Sequence, residues 1–291
     1  MFRDQTMQYD GSDLADQIMP SAVPVRAGGQ TSHVAKTAMT TSAGSLGAFV
    51  SEPADACKGA APLLLLHGIS RDAEALFEAF LPAANAAGRV VIAPEFTKET
   101  WRVFQRITAK TRPDIALLEL LTFLRATSVI DSAPVEVFGF SGGAQLGHRF
   151  AMLYPHMISS LHISSAGWYT LPRSDIPYPY GLSAEGAEVK DLIWQRRMLQ
   201  GLDAFLRLPI SIYVGSLDNQ QEDPTLRRND VLDASQGADR LTRARSYQDA
   251  IEAAAKERGV TASVRFNELA GCGHDAIQCI ETGGLIDRIL P

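Results

Sequence analysis

Ten residues, Val135 to Ala144, restrict what this chain can become more than any other segment. They read Val-Glu-Val-Phe-Gly-Phe-Ser-Gly-Gly-Ala, a buried-strand pattern running directly into the start of a helix. Gly139, Ser141 and Gly143 set the pattern G-x-S-x-G on that joint. A strand that turns abruptly into a helix holds its corner residue in a strained backbone conformation, and side chains two positions away on either side would collide. Glycines at those two positions remove the collision and leave the serine hydroxyl above the end of the strand. The Gly142 amide, at the helix start, then points to where charge would develop on an attacked carbonyl oxygen. The plain alternative is a glycine-rich turn that only packs a helix close to a sheet. The strand–turn–helix context favours a nucleophilic serine.

The surrounding pattern supplies the sheet that such a corner needs. Leu63 to Leu66 is a continuous apolar run ending at His67-Gly68, as expected of a strand buried on both faces. Leu76, Phe77, Phe80 and Leu81 recur at helical spacing before Gly88, and Val90 to Ala93 reads as a further strand stopped by Pro94. Pro113 opens an amphipathic helix through Leu124, and a helix over Gly142 to Leu153 ends at Tyr154-Pro155. Strands are expected at Leu161 to Ile163, Pro209 to Val214 and Val264 to Phe266, with helices at Tyr247 to Arg258 and Leu285 to Leu290. Strands alternating with helices predict an α/β fold, a mainly parallel sheet with helices on both faces. Residues 1–36, rich in Gly, Ser, Gln and Pro, read as an irregular N-terminal arm, and 37–50 as an antiparallel pair or edge strand. The domain then covers 37–291, with a cap-like insertion at about 168–208. That insertion holds Trp168, Tyr169, Tyr178 and Tyr180, and a stretch of this length is usually functional; the other reading is a surface excursion with its own small core.

Two more residue types complete the chemistry. An imidazole must reach Ser141 from the carboxyl edge of the sheet, and His274 lies in a glycine-rich loop after the last expected strand. Its orienting carboxylate should follow a strand between Ser141 and His274 in the chain, where Asp218 stands after a glycine turn. Glu222 and Asp223 follow closely and compete with it. Gly68 lets a second loop approach, making the Ile69 amide a candidate partner to Gly142 in an oxyanion hole. His67 shapes that loop or acts as a base, and His274 is the better placed base. His33, His148, His156 and His162 read as packing or surface residues.

The charge balance, -6 with 27 basic and 33 acidic residues, presents no basic face to a nucleic-acid backbone. No apolar run reaches the ~18 to 20 residues of a membrane span, and the first residues lack a signal-like apolar region, so a cytoplasmic setting is expected. Cys57, Cys272 and Cys279 cannot all pair, and Cys272, His274 and Cys279 lack the second ligand pair of a structural zinc site. No glycine-rich nucleotide motif opens a helix. No metal or organic cofactor is called for.

With Ser141, Asp218 and His274 in that order and His67-Gly68 upstream, the chain from about residue 37 onward resembles the α/β-hydrolase superfamily. Ala93-Pro94-Glu95-Phe96, Trp101 to Arg106, Ala166 to Thr170 and Tyr178 to Gly181 resemble poly(3-hydroxybutyrate) depolymerase-like esterases within it. The resemblance implies acyl transfer from a small-molecule or oligomeric ester. His274 would take the proton of Ser141, and the Ile69 and Gly142 amides would hold the oxyanion. The aromatic insertion, with His67, Trp168, Tyr169 and Tyr178 as candidate substrate contacts, suggests a partly apolar substrate. A peptidase, thioesterase or amidase on the same scaffold, or a binding protein without turnover, are the competing readings.

Overall fold

A computed structural model describes residues 23–27, 30–131, 134–186 and 188–290 of the chain. Among the described residues nine strands form one sheet: β1 (Val23–Ala27), β2 (Gln30–Thr41), β3 (Gly44–Pro53), β4 (Leu63–Leu66), β5 (Val91–Glu95), β6 (Val135–Phe140), β7 (Ile158–Ser164), β8 (Pro209–Gly215) and β9 (Ser263–Leu269). Their order across the sheet is β1-β2-β3-β5-β4-β6-β7-β8-β9. The first three run antiparallel and join β5 antiparallel, while β5, β4, β6, β7, β8 and β9 are parallel. The helices are α1 (Ala73–Ala86), α2 (Pro113–Ala126), α3 (Gly142–Leu153), α4 (Leu192–Leu206), α5 (Asp230–Gln236), α6 (Arg240–Glu257), α7 (Ala276–Glu281) and α8 (Leu285–Ile289).

Alternation along the central strands builds two cores. Leu64, Leu66, Val135 and Val137 face the layer of α2, α3, α4 and α6, while Leu63, Leu65, Phe138 and Phe140 face α1, α7 and α8. All four leucines of β4 are fully buried. Each contributes roughly 1.5 to 3 kcal/mol by leaving water, which is why an unbroken apolar run marks a strand covered on both faces. The chain leaves β4 for β5 on one side and then crosses to β6 on the other. That reversal opens a crevice at the carboxyl ends of β4 and β6, where ligands bind in open α/β sheets.

The edge differs from the sequence reading. Residues 1–22 of the expected irregular arm lie outside the described residues, but 23–27 and 30–36 belong to β1 and β2. β2 pairs along its length with β3, with Ala35, Thr37, Met39 and Thr41 turned inward and the residues between them exposed. The inward face carries two threonines and an alanine, so its two-residue period is faint in hydrophobicity. Pro94 lies inside β5 rather than ending it. The ladder to β4 has stopped by Ile92, so Pro94 borders the β3 ladder alone.

The insertion also divides differently. α4 is the crossover helix between the parallel strands β7 and β8, and Trp194, Met198, Leu202 and Phe205 pack into the main core. The described residues of 165–188 are irregular, and a 3-10 turn at Val189–Asp191 leads into α4. The irregular stretch is cross-tied by Leu171 N–H to Tyr180 C=O (2.9 Å) and Leu182 N–H to Arg173 C=O (2.7 Å). Trp168, Tyr169, Tyr178 and Tyr180 belong to the same core as the sheet, so this segment is a wall built onto the body. Among the described residues no helix is long and apolar enough to cross a membrane.

Candidate active site

β6 ends at Phe140 and α3 begins at Gly142, leaving Ser141 alone on the corner with φ 51° and ψ −109°. Its own N–H is held by the Ser164 carbonyl at 2.8 Å, on the neighbouring strand. The glycines behave as steric analysis requires. A Cβ on Gly143 would lie 1.9 Å from the Leu66 carbonyl oxygen, and one on Gly139 would lie 2.5 Å from the Gly143 carbonyl oxygen. Both obstacles are backbone and cannot step aside. Gly143→Ala is therefore expected to cost about 4 kcal/mol or more, or to prevent folding. Gly147→Ala, one turn further along α3, meets only side chains at 3.4 Å or beyond and should shift stability by about 1 kcal/mol or less. Urea unfolding of the two variants checks this, and equal midpoints would contradict the steric account.

The loops after β8 and β9 are stitched together. Ser216 N–H bonds to the Leu269 carbonyl at 2.9 Å and Leu217 N–H to the Cys272 carbonyl at 2.9 Å, while Gly271 N–H bonds to Ser216 Oγ at 2.9 Å. Gly215 permits the crossing, since a Cβ there would lie 2.2 Å from the Cys272 carbonyl oxygen. The consequence is a hydrogen-bonded line of three side chains. His274 Nδ1 lies 2.8 Å from Asp218 Oδ2, and Nε2 lies 3.1 Å from Ser141 Oγ. A carboxylate only accepts, so Nδ1 carries the proton and Nε2 is left to accept from the Ser141 hydroxyl. Phe140 packs against the imidazole with ring centroids 5.2 Å apart. Behind His274, Asp275 caps α7 through Gln278 N–H at 2.8 Å, fixing the end of the loop. Cys272 and Cys279 are buried free thiols, Cys57 an exposed one; Cys279 Sγ points to the Gly273 carbonyl at 3.8 Å, bracing the same loop.

The choice among the acids follows from geometry. Asp218 is buried between His274 and Arg240, whose Nη1 lies 3.3 Å from Oδ1. Asp223 takes the same Arg240 Nη1 at 2.6 Å, and Glu222 is exposed. Burial pushes the Asp223 carboxyl up, but hydrogen bonds from Thr225 and Arg240 outweigh it and hold the group down at about 2. Arg240 is thus the clamp that positions Asp218, a residue with no signal in the sequence beyond its place at the start of a helix.

Ile69 and Gly142 meet across the crevice: a Cβ on Gly142 would lie 3.3 Å from the Ile69 nitrogen. Among the described residues neither amide donates a hydrogen bond to the protein. His67, buried just upstream, is fully occupied. Phe96 N–H donates to its Nε2 at 3.0 Å, so Nδ1 carries the proton and donates to the Gly68 carbonyl at 2.7 Å. Burial lowers its pKa, keeping it neutral. It shapes the loop that carries Ile69 and has no nitrogen left for substrate. His148 is similar: Thr170 N–H donates to Nε2 at 3.0 Å, Nδ1 donates to the Ala144 carbonyl at 2.8 Å, and burial pulls its pKa well down.

The aromatic candidates separate. Tyr169 is fully buried and stacks on Tyr247 with centroids 4.3 Å apart, so it is core and does not reach a substrate, correcting its expected role. Trp168 lines a small space of about 80 Å³ that touches Ser141, Ile69 and Gln145. Tyr178 lines a second space, of about 240 Å³, one wall further from the serine. A third cavity, of about 340 Å³, opens on the other side over Ser141, His274, Phe140 and Leu76.

No family model and no curated protein matches this chain. Solved structures do. A poly(aspartic acid) hydrolase-1 from Sphingomonas sp. KT-1 superposes with TM-score 0.73 at 20% identity, over 88% of this chain and 97% of that one. A poly(3-hydroxybutyrate) depolymerase from Bordetella parapertussis gives TM-score 0.70 at 23% identity, over 90% and 88% of the two chains. An S-formylglutathione hydrolase from Agrobacterium tumefaciens gives TM-score 0.60 at 15% identity, over 93% and 97%. The chain has the α/β-hydrolase fold, as its motifs predict.

Proposed function

We propose that the chain is a serine hydrolase that cleaves a carboxylic ester through an acyl-enzyme on Ser141. The observation that carries this reading is the line Ser141–His274–Asp218 ending beside two amides that donate to no acceptor among the described residues. The similar solved structures are described as hydrolases and a depolymerase, which supports the same class of reaction.

In the forward step, Ser141 Oγ attacks the ester carbonyl as His274 Nε2 takes its proton. The imidazolium is stabilised by Asp218, itself held by Arg240. The carbonyl oxygen, now an anion, accepts from Ile69 and Gly142 N–H in a site where fixed dipoles need not reorganise. The C–O bond breaks and the alcohol leaves with the proton from His274. Water then attacks the acyl-enzyme, giving its proton to the same nitrogen, and the acid leaves as Ser141 Oγ is reprotonated. No metal or organic cofactor enters these steps. His274 has to protonate the departing alcohol, so the cavity containing His274 receives the leaving group. The space on the Gln145 and Trp168 side receives the acyl chain.

Matched 4-nitrophenyl esters, anilides and acyl thioesters of one acyl chain test the assignment. The ester should be cleaved with the highest kcat/KM and with a burst of nitrophenol. Faster cleavage of the anilide or the thioester would transfer the reading to an amidase or thioesterase. No turnover of any of the three would leave a binding protein.

A further inference from the structure

Beyond Ser141, on the acyl side, three guanidinium groups line one cavity together with two carboxylates. Arg149 on α3 is buried, and its Nε donates to Thr170 Oγ1 at 3.1 Å. Its Nη1 donates to the Gln105 carbonyl at 2.9 Å and the Gln145 carbonyl at 2.8 Å, but its buried Nη2 has no partner. Arg106 presents a buried Nε that is likewise unpartnered. Arg227 is exposed and lies over the rings of Trp168 and Tyr180, 5.8 and 5.7 Å from their centroids. Among the described residues, the other two arginines with nearly enclosed side chains are ion-paired, Arg240 with Asp218 and Asp223, and Arg243 with Asp233.

These three groups line the 240 Å³ cavity together with Trp168 and Tyr178. Glu188 and Asp191 line it as well, so it carries both charges. Arg106, Trp168 and Arg227 are also walls of the small space that touches Ser141. The two spaces therefore share a boundary, and an acyl chain seated at Ser141 leads toward the arginines. Enclosing a guanidinium with an N–H group that finds no acceptor is unfavourable. Burial, reinforced by Arg106, pulls Arg149 down to about 9. Guanidinium groups lining one cavity offer the planar N–H donors that a carboxylate accepts from. Arg149, 4.0 Å from the Trp168 ring centroid, and Arg227, at 5.8 Å, both lie over that ring.

We infer that this cavity is a carboxylate subsite on the acyl side, so that the preferred substrate is an ester whose acyl chain itself bears a carboxylate. The inference rests on the serine-hydrolase reading above, and it adds a substrate class.

The test compares mono-4-nitrophenyl adipate with 4-nitrophenyl hexanoate, esters of equal chain length that differ by the terminal charge. The wild type should favour the adipate in kcat/KM by about tenfold to a hundredfold, the worth of a charge-assisted hydrogen bond. The ratio should fall toward one in Arg227→Gln and in Arg106→Gln, mainly through KM for the adipate. A wild-type preference for the hexanoate, or an unchanged ratio in both variants, overturns the subsite while leaving the hydrolase reading in place. Thermal melting with free adipate separates the two claims in the other direction. If neither ester is cleaved but adipate raises the Tm of the wild type and not of Arg227→Gln, the subsite stands and the hydrolase reading falls. No rise in Tm and no adipate preference removes the subsite.

Discussion

Ser141→Ala is expected to lower kcat on a 4-nitrophenyl ester by on the order of 10⁶-fold, because members of such a line act as a unit and removing the nucleophile removes its whole contribution. A residual rate above the uncatalysed reaction should persist, since the Ile69 and Gly142 amides would still be available to a water bound in the serine's place. The variant should fold normally. Ser141 is nearly buried, and what holds the corner is the backbone bond to Ser164 and the flanking glycines, none of which involves the hydroxyl. The check has two parts. A fluorophosphonate should add one label to the wild type, on the peptide containing Ser141, and none to the variant. Turnover of the variant within a hundredfold of the wild type, or labelling elsewhere, would remove Ser141 from the reaction.

Asp218→Asn carries the second largest expectation, a fall in kcat of about 10⁴-fold with KM little changed. The amide can offer an N–H toward Nδ1, which turns the imidazole to the wrong tautomer and leaves Nε2 carrying a proton it should be accepting. The fold should survive because Arg240 keeps Asp223 at 2.6 Å and Thr225 Oγ1 at 2.8 Å. Asp223→Asn is the informative companion. It loosens the clamp without touching His274, so its effect on kcat should be smaller by two orders of magnitude or more. Steady-state kinetics of the two variants decide it. A severe Asp223→Asn beside a nearly silent Asp218→Asn would move the orienting role to Asp223.

How much of this was legible depends on where the physics is local. The elbow was readable to the residue because a steric requirement at Gly139 and Gly143 leaves few sequences that can meet it. The central strands were readable because β4 is covered on both faces and so cannot alternate. β2 was readable only from Thr37 onward, since in Gln30 to Lys36 the buried positions include the polar Ser32 and no apolar alternation marks a strand. α4 carried a readable stripe in Trp194, Met198, Leu202 and Phe205, but the aromatic run before it drew the helix into the insertion. The start of α6 was missed by seven residues although Asp239 is a capping residue, its Oδ1 accepting from Thr242 N–H at 2.8 Å. Among the site residues, Asp218 and His274 follow from chain order and loop position. The arginines do not, because Arg106, Arg149 and Arg227 come together only through the packing of three separate segments around Trp168.

The stitched loops after β8 and β9 have a consequence for how the molecule is assembled. Ser141 and His274 stand 133 residues apart in the chain, and the bonds that bring the histidine home involve the last two strands of the sheet. Closing contacts of such long separation is slow relative to forming helices and local strand pairs. During refolding, helical content should therefore return before the first turnover does. The appearance of activity would mark the docking of the final strand, the moment at which every parallel register has been set.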